Sequence, residues 1–241
     1  MSTPAGILRS WTVCYYIIAM ALKLIIFDLD GTLVDSRVDI MHAVNYAISP
    51  YGIEPVHLQE TTELVGEGAI RLMEKLLKKR RVSLDISMLV DRFESHYSAH
   101  PVSHTVPYPG VPETLRSLRD YRKAVISNKF RSISLQVLEK LQLSQYFEEV
   151  AGVDTFPERK PSPLPILRFL DKFEARPEET LVVGDSVYDI QAGRASGTKT
   201  VAATYGYGSP GFSDNADFII TDFTQLIDVI NRFNGWRWGR S

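Results

Sequence analysis

The stretch LIIFDLDGT, residues 24–32, decides the fold that this sequence predicts. It joins an apolar run to two acidic residues, Asp28 and Asp30, and then to a Gly-Thr pair. A short, continuous apolar run is typical of a strand that is buried on both faces of a parallel sheet. The acidic residues would then follow the carboxyl end of that strand, where open α/β sheets bind their ligands.

Similar apolar runs recur along the chain, and each ends in polar residues. They occupy residues 124–126, 181–183, 200–203 and 218–220. Between them, apolar residues follow the spacing of amphipathic helices, as at Ile133, Val137 and Leu141. Strands that alternate with helices predict an α/β fold with a parallel sheet and right-handed crossovers.

One part of the chain, residues 37–104, breaks this alternation and predicts an all-helical insert. No convincing strand pattern lies in it. Ser36 and Asp39 resemble a capping box, which would open a helix that ends at Ile48, before Pro50. The other helices are predicted over residues 67–81 and 86–99.

The chain is therefore expected to have four parts. From the N-terminus they are an extension (1–21), an α/β core (22–36 and 105–233), the helical insert within that core (37–104) and a tail (234–241). The insert joins the core through two crossings, so we expect hinges at Ser36–Arg37 and Ser103–Pro109.

Composition excludes several classes of protein. The 241 residues include 27 basic and 29 acidic ones, which gives a formal net charge of −2. Such a chain lacks the basic field that binds nucleic acid, so no nucleic-acid partner is expected. A single cysteine, Cys14, rules out an intrachain disulfide framework and a Cys-rich zinc site, and it fits a reducing compartment. Whether the protein is a monomer or a homodimer stays open.

The N-terminal segment has two interpretations. Its uncharged run, residues 10–22, is shorter than the ~20 residues of a membrane-spanning helix. With Arg9 and Ala19-Met20-Ala21 it imitates a secretory signal. We favour an extension ahead of a natural start at Met20, because the strand with the acidic residues follows at once. Residues 1–19 are then expected to be dispensable, and the protein to be cytoplasmic with no membrane partner.

Polar residues at the ends of separate strands predict one metal-dependent phosphoryl site. Three carboxylates, Asp28, Asp185 and Asp189, would repel one another unless a cation joined them. Mg²⁺ prefers oxygen ligands and often binds one or two carboxylates plus a phosphate. Asp28 and Asp185 are the expected ligands, and Asp189 would orient the metal's waters. Lys160 and small donors such as Ser127 favour an anion in the same crevice.

Four segments together resemble the motifs of the haloacid dehalogenase superfamily of phosphohydrolases. They are Asp28–Ser36, Ser127-Asn128-Lys129, Lys160-Pro161, and Gly184-Asp185-Ser186 with Asp189. The insert is similar to the helical cap domain of that superfamily. The segment Thr204-Tyr205-Gly206-Tyr207-Gly208 looks like the phosphoglycolate phosphatase branch. The resemblance implies a Rossmann-like parallel sheet core with an inserted all-helical cap domain, and Mg²⁺ as cofactor.

The chemistry of the residues and the resemblance assign the same roles. Asp28 would attack phosphorus and form an aspartyl phosphate. Asp30 would protonate the leaving alkoxide and later take a proton from the hydrolytic water, and the resemblance adds its backbone carbonyl as a Mg²⁺ ligand. Ser127 and Asn128 would donate to phosphate oxygens, and Lys160 would offset their charge. Asp30 argues against a dehalogenase, because the dehalogenases of the superfamily lack this second aspartate.

The insert is expected to select the substrate, a small phosphorylated metabolite and by resemblance 2-phosphoglycolate. Gly66 and Gly68 precede a helix whose N–H groups could approach an anion, and Arg71 could pair with a carboxylate. A tight turn and a surface arginine are the alternative. A β-phosphoglucomutase-like phosphotransferase, a nucleotide or pyrophosphate phosphatase, and a non-catalytic binding module also stay open.

Overall fold

A six-stranded parallel sheet forms the centre of the computed structural model, which describes residues 22–235. Its strand order is β5-β4-β1-β6-β7-β8. In chain order, the strands of the described residues are β1 (Leu24–Phe27), β2 (Val34–Asp35), β3 (Val106–Pro107), β4 (Arg122–Ile126), β5 (Glu149–Ala151), β6 (Thr180–Gly184), β7 (Lys199–Ala203) and β8 (Phe218–Ile220). β2 and β3 form a separate antiparallel pair.

Helices cover both faces of this sheet and supply the insert. In chain order they are α1 (Arg37–Ile48), α2 (Leu58–Leu64), α3 (Ala69–Arg80), α4 (Ile86–Ala99), α5 (Val111–Ser117), α6 (Arg131–Lys140), α7 (Leu164–Lys172), α8 (Val187–Ala195) and α9 (Leu226–Phe233). The first four belong to the insert. The predicted α/β class is confirmed.

Strand β1 lies at the centre because both of its faces are apolar. It pairs in parallel with β4 on one side and β6 on the other. Ile25 and Phe27 pack among side chains of α6 and α9, whereas Leu24 and Ile26 pack among those of α7 and α8. A strand buried in this way fixes where its carboxyl end lies, and Asp28 follows directly.

The insert differs from the prediction in detail. Helix α2 was not predicted, because its sequence LQETTEL buries only Thr61 and Leu64 and so shows little apolar periodicity. Helix α3 begins at Ala69 rather than at residue 67, after Gly68 with a φ of +84°. Strands β2 and β3 were also missed; they are two residues long and pair the two crossings between insert and core. The predicted helix over residues 86–99 is confirmed.

The predicted capping box at Ser36 is wrong. The Ser36 oxygen accepts no N–H of the helix, and its hydroxyl donates to Asp30 Oδ1 at 2.5 Å, a strong contact because the acceptor is a carboxylate. Asp39 instead binds the returning crossing. Its carboxylate accepts from the backbone N–H groups of residues 103–105 and from the Thr105 hydroxyl. The first and last residues of the insert are thereby held together.

Strand β5 was missed as well. It has three residues and begins with the partly buried Glu149, so it lacks the apolar run by which the other strands of the sheet were found. Within residues 22–235, no helix is long and apolar enough to cross a membrane. The predicted extension (1–21) and most of the predicted tail (236–241) lie outside the described residues.

Replacing Asp39 with Ala should destabilise the fold by roughly 3 kcal/mol, because it leaves the buried N–H and hydroxyl of Thr105 without an acceptor. Asp39 is 3% exposed. Burial alone would raise the pKa of its carboxyl, but hydrogen bonds from Thr105 and His104 outweigh it and lower that pKa to about 2. Its stabilising effect is therefore present above pH 3.8 and is lost as the pH falls towards 2.

Urea unfolding measures this change in the free energy of unfolding. Asp120→Ala is the matched control, because the Asp120 side chain is 87% exposed. The control should change stability by less than about 0.5 kcal/mol. Equal unfolding midpoints for the two variants would contradict the role given to Asp39.

Candidate active site

The predicted site residues meet at one edge of the sheet, where β1, β4 and β6 end. Asp28, Ser127 and Asp185 follow these strands within one to two residues. A cavity of about 740 Å³ lies between this edge and the insert. Its lining includes all three of these residues and side chains from α1 to α4. The site therefore lies where two parts of the chain face each other.

Three carboxylates and one ammonium group form the floor of the site. Asp28, Asp185 and Asp189 each offer an oxygen that lies within 4.8 Å of the other two. Lys160 Nζ lies 2.8 Å from Asp28 Oδ1 and 2.6 Å from Asp189 Oδ1. It also donates to the carbonyl oxygen of Ile126 at 2.7 Å. The sequence prediction that Asp28, Lys160, Asp185 and Asp189 come together agrees with this geometry.

Charge in this floor is unbalanced. Burial raises the pKa of Asp28 to about 7, with Lys160 acting against the rise and Asp189 adding to it. Burial, and then the charges of Asp28 and Asp189, raise the pKa of Asp185 well above its ordinary value. Three carboxylates against one lysine leave an excess of negative charge in a buried place. A divalent cation with oxygen ligands fits this group, because it would favour the ionised carboxylates.

Asp28 Oδ1 gives a second sign of this fit. The atom is buried, and the Lys160 ammonium at 2.8 Å is the one polar group that the described residues bring to it. A carboxylate oxygen accepts more than one partner. The oxygen therefore keeps a lone pair for a cation or for a reacting group.

Close backbone packing fixes Asp185 in this group. A Cβ atom on Gly31, whose φ is +86°, would lie 2.1 Å from Asp185 Oδ2. The Thr32 hydroxyl donates to Asp185 Oδ1 at 3.0 Å, and the Tyr207 N–H donates to Oδ2 at 2.7 Å. Sequence reasoning gave no role to Thr32 or Tyr207. Both residues lie in segments that resemble family motifs, and this position could have identified them as site residues.

Asp189 binds protein groups that were not predicted. Its expected role, to orient the waters of a metal, stays a prediction. Its Oδ1 binds Lys160 Nζ, and its Oδ2 accepts from the backbone N–H and the hydroxyl of Ser186. Asp189 therefore holds the lysine and the start of α8.

Asp30 lies beside a buried lysine that sequence reasoning also left without a role. Its Oδ1 accepts from Ser36 Oγ at 2.5 Å and from Lys129 Nζ at 2.6 Å. Lys129 Nζ also donates to the hydroxyl of Tyr97, a residue of α4 in the insert, at 2.6 Å. Burial opposes the charge of Lys129, but Asp30 and Tyr97 outweigh it and raise the lysine pKa. Lys129 could have been predicted as a site residue, because it follows Ser127 by two residues at the same edge of the sheet.

The Asn128 amide acts differently from the expectation. It was predicted to donate to phosphate. Its Nδ2 instead donates to the backbone carbonyls of Gly66 at 3.0 Å and Lys160 at 3.1 Å, so both hydrogens have partners. The side chain thus joins the insert to the core. Ser127 is buried at the cavity, and its hydroxyl accepts from the Lys129 N–H at 3.2 Å.

The structure brings Gly66 and Gly68 to the cavity but not Arg71. Arg71 is half exposed and donates to Glu74 Oε2 at 2.5 Å. The cavity face of α3 follows helical spacing through Gly68, Leu72 and Lys75, and residue 71 falls outside it. Lys75 is therefore the basic residue that this helix presents to the cavity.

Comparisons with known proteins agree with this geometry. The family model described as haloacid dehalogenase-like hydrolase matches residues 25–203. The chain is 42% identical to the phosphoglycolate phosphatase of Aquifex aeolicus (strain VF5) over 212 residues, which covers 87% of this chain and 97% of that protein. It is 37% identical to the phosphoglycolate phosphatase of Agrobacterium fabrum (strain C58), with 86% and 91% covered.

A solved structure shows the same architecture. It is described as a predicted phosphoglycolate phosphatase from Haemophilus somnus 129PT, with 30% identity and a TM-score of 0.82 over 86% of this chain and 97% of that one. The chain belongs to the haloacid dehalogenase-like hydrolase family. Within that family it is an enzyme of the phosphatase type, a phosphoric monoester hydrolase.

Replacing Gly68 with Ala should lower activity without unfolding the protein. A Cβ there would lie 2.7 Å from the Asn128 carbonyl oxygen, so the insert would have to move away from the core. We expect kcat/KM to fall about tenfold or more, because small displacements at a reacting site are costly.

Gly52→Ala is the matched control for this variant. Gly52 has a φ of +65°, also in the left-handed region, but no atom lies within 4 Å of its added Cβ. Gly52→Ala should lose about 1 kcal/mol of stability from backbone strain, and Gly68→Ala somewhat more, because the ψ of Gly68 is 168° whereas that of Gly52 is 20°. Only Gly68→Ala should lose activity in a steady-state phosphate-release assay. An unchanged rate would show that the contact does not matter.

Proposed function

We propose that this enzyme is a Mg²⁺-dependent phosphatase that hydrolyses 2-phosphoglycolate through an aspartyl phosphate on Asp28. One observation carries the proposal most strongly. Two carboxylates two residues apart, Asp28 and Asp30, line one cavity but have different partners: Lys160 for the first, and Ser36 with Lys129 for the second. Two carboxylates in different environments suit a nucleophile and a separate acid-base group.

Asp28, Asp185 and the backbone carbonyl of Asp30 are the proposed ligands of Mg²⁺. The excess negative charge of the floor supports the two carboxylates, and the family resemblance supports the carbonyl. When bound, Mg²⁺ neutralises part of the charge on the carboxylates and on the phosphate oxygens.

Asp28 would begin the reaction as the nucleophile. One of its carboxylate oxygens forms a bond to phosphorus while the bond from phosphorus to the ester oxygen breaks. Lys160, held by Asp189, keeps positive charge next to Asp28 during this step. The Ser127 hydroxyl lies in the same cavity and is the proposed donor to a phosphate oxygen.

Asp30 would move the protons. Its carboxyl group gives a proton to the departing ester oxygen, and the carboxylate that remains accepts a proton from water. That water attacks phosphorus and breaks its bond to Asp28, which returns Asp28 as a carboxylate and releases phosphate. Each turnover therefore leaves both aspartates as they began.

The proposed substrate rests on the relatives, which are named phosphoglycolate phosphatases, and on the basic residues of the cavity. Lys75 and Arg37 line the cavity, where they form ion pairs with Glu67 and Asp35, so a substrate carboxylate would compete with these acidic partners. The 740 Å³ volume also admits larger esters, so these belong in any test. We further propose that the partner is a small metabolite rather than a nucleic acid or a membrane. The protein would act in the cytoplasm as a monomer or homodimer.

Phosphate release tests the substrate directly. The panel is 2-phosphoglycolate, β-glucose-1-phosphate, nucleoside monophosphates and pyrophosphate, each with Mg²⁺ and with EDTA. We expect the highest kcat/KM for 2-phosphoglycolate and almost no release in EDTA. Asp28→Asn should release no phosphate, whereas Asp171→Asn, an exposed control, should match the parent enzyme. Even turnover of the whole panel would refute the named substrate, and an active Asp28→Asn enzyme would refute the mechanism.

Mg²⁺ should stabilise the protein more at pH 8 than at pH 5. The pKa of Asp28 is raised from 3.8 to about 7. Between pH 3.8 and about pH 7, the metal-free folded protein therefore holds a proton on Asp28 that the unfolded chain has released. The stability of the metal-free protein therefore falls as the pH rises through this window. Mg²⁺ should offset this loss, because it takes the place of the proton beside the ionised carboxylate.

Thermal melting with Mg²⁺ or EDTA at the two pH values measures this difference. We expect Mg²⁺ to raise Tm by about 5 °C or more at pH 8 and by less than about 1 °C at pH 5. Asp185→Asn should lose most of the increase at pH 8, and Asp171→Asn should keep it. The same increase at both pH values would contradict the proposed site.

A further inference from the structure

We propose that Lys129 and Tyr97 position Asp30, so that one defined oxygen of its carboxyl group exchanges the catalytic proton. Lys129 and Tyr97 are then positioning residues that act through Asp30. The inference rests on the proposed function, because it assigns to Asp30 the role of acid and base given above.

The burial of Lys129 is the first observation. Its side chain is 7% exposed, and its Nζ lies 2.6 Å from Asp30 Oδ1 and 2.6 Å from the Tyr97 hydroxyl. The ammonium also lies 4.4 Å from the centre of the Tyr97 ring. Burying an ammonium group costs several kcal/mol unless strong partners compensate. These two partners therefore fix where the ammonium lies.

Asp30 uses one oxygen for its contacts, which is the second observation. Ser36 Oγ and Lys129 Nζ both donate to Oδ1. Among residues 22–235, no hydrogen bond to Oδ2 is present. Two donors occupy Oδ1 and leave Oδ2 without a protein donor among the described residues. Oδ2 is therefore the oxygen that exchanges the catalytic proton, and the orientation of the carboxyl group, which the two donors fix, decides whether Oδ2 reaches the ester oxygen.

Tyr97 brings the insert into this arrangement. It lies on α4, is 1% exposed, and packs edge-to-face on Phe93 in the interior of the insert. Lys129 thus bonds to the insert through the Tyr97 hydroxyl and to the core through Asp30. With α4 against the core, Tyr97 therefore helps to fix the Lys129 ammonium and, through it, the orientation of Asp30.

The leaving group of the substrate distinguishes positioning of an acid from a general structural role. 2-Hydroxyethyl phosphate expels an alkoxide that needs a proton, whereas p-nitrophenyl phosphate expels a stable phenolate that does not. Neither ester carries a carboxylate. The constant kcat/KM covers the steps up to phosphoryl transfer to Asp28, so it reports the step in which Asp30 acts as an acid.

Lys129→Met should lower kcat/KM about 100-fold for 2-hydroxyethyl phosphate and for 2-phosphoglycolate. For p-nitrophenyl phosphate the loss should be less than about threefold, because no proton is needed. Tyr97→Phe keeps the ring and removes the hydroxyl. It should show the same pattern with a loss of about tenfold, which keeps the test open should Lys129→Met fail to fold.

The controls are a buried lysine and a tyrosine of the insert that lie away from Asp30. Lys123→Met removes another buried ammonium, whose partners are the carbonyls of Leu118 and Tyr121. Tyr46→Phe alters a tyrosine of α1 that stacks on His96. Neither control should change the ratio of the kcat/KM values for the two esters.

Three outcomes would overturn the proposal. They are an equal loss on both esters, no loss on either, and a loss confined to 2-phosphoglycolate, which would make Lys129 a binding site for the substrate carboxylate. Adding Lys129→Met to Asp30→Asn should cost little more than Asp30→Asn alone, because both act through one group. A parent enzyme that hydrolyses none of the esters would refute the proposed function instead.

Discussion

The structure depends on a concentration of negative charge at the carboxyl end of its central strand. Asp28, Asp185 and Asp189 come within 4.8 Å of one another, with the Lys160 ammonium between two of them. Like charges so close and so buried are stable only with a compensating cation or with protons. Without a metal, the pKa values of Asp28 and Asp185 are raised, so that protons compensate part of this charge. The reaction that we propose uses the same excess charge, since it favours a cation that also attracts phosphate.

The second constraint is that the insert and the core share their polar contacts at the site. Asn128 joins the core to the Gly66 carbonyl, Lys129 joins it to Tyr97, and Asp39 binds the returning crossing. Asn128, Lys129 and Tyr97 line the cavity, so their contacts tie the walls of the cavity to the position of the insert. Expulsion of water from such a cavity strengthens its electrostatic interactions.

Much of this was predictable, and the exceptions have physical reasons. Apolar runs ending in Asp28 or Gly184-Asp185 indicated the sheet, because strands buried on both faces need such runs. The polar helix α2 was missed because it buries few residues, and β5 because it has only three. At the site, residue types predicted which groups meet but not which atoms they bind. Asn128 binds the carbonyls of Gly66 and Lys160, and Asp189 binds the Lys160 ammonium, all of them remote in sequence, while Ser36 binds Asp30 outside the helix-capping pattern.

The most direct test is to trap phosphate on the nucleophile. Asp30→Asn should still transfer the phosphoryl group of p-nitrophenyl phosphate to Asp28, because this leaving group needs no proton, but it lacks the base that activates water. Rapid mixing with Mg²⁺ should release about one p-nitrophenolate per active site in a burst and then stop. Acid quenching and peptide mass spectrometry should find the phosphate on Asp28. A linear release without a burst, or phosphate on another residue, would contradict the account.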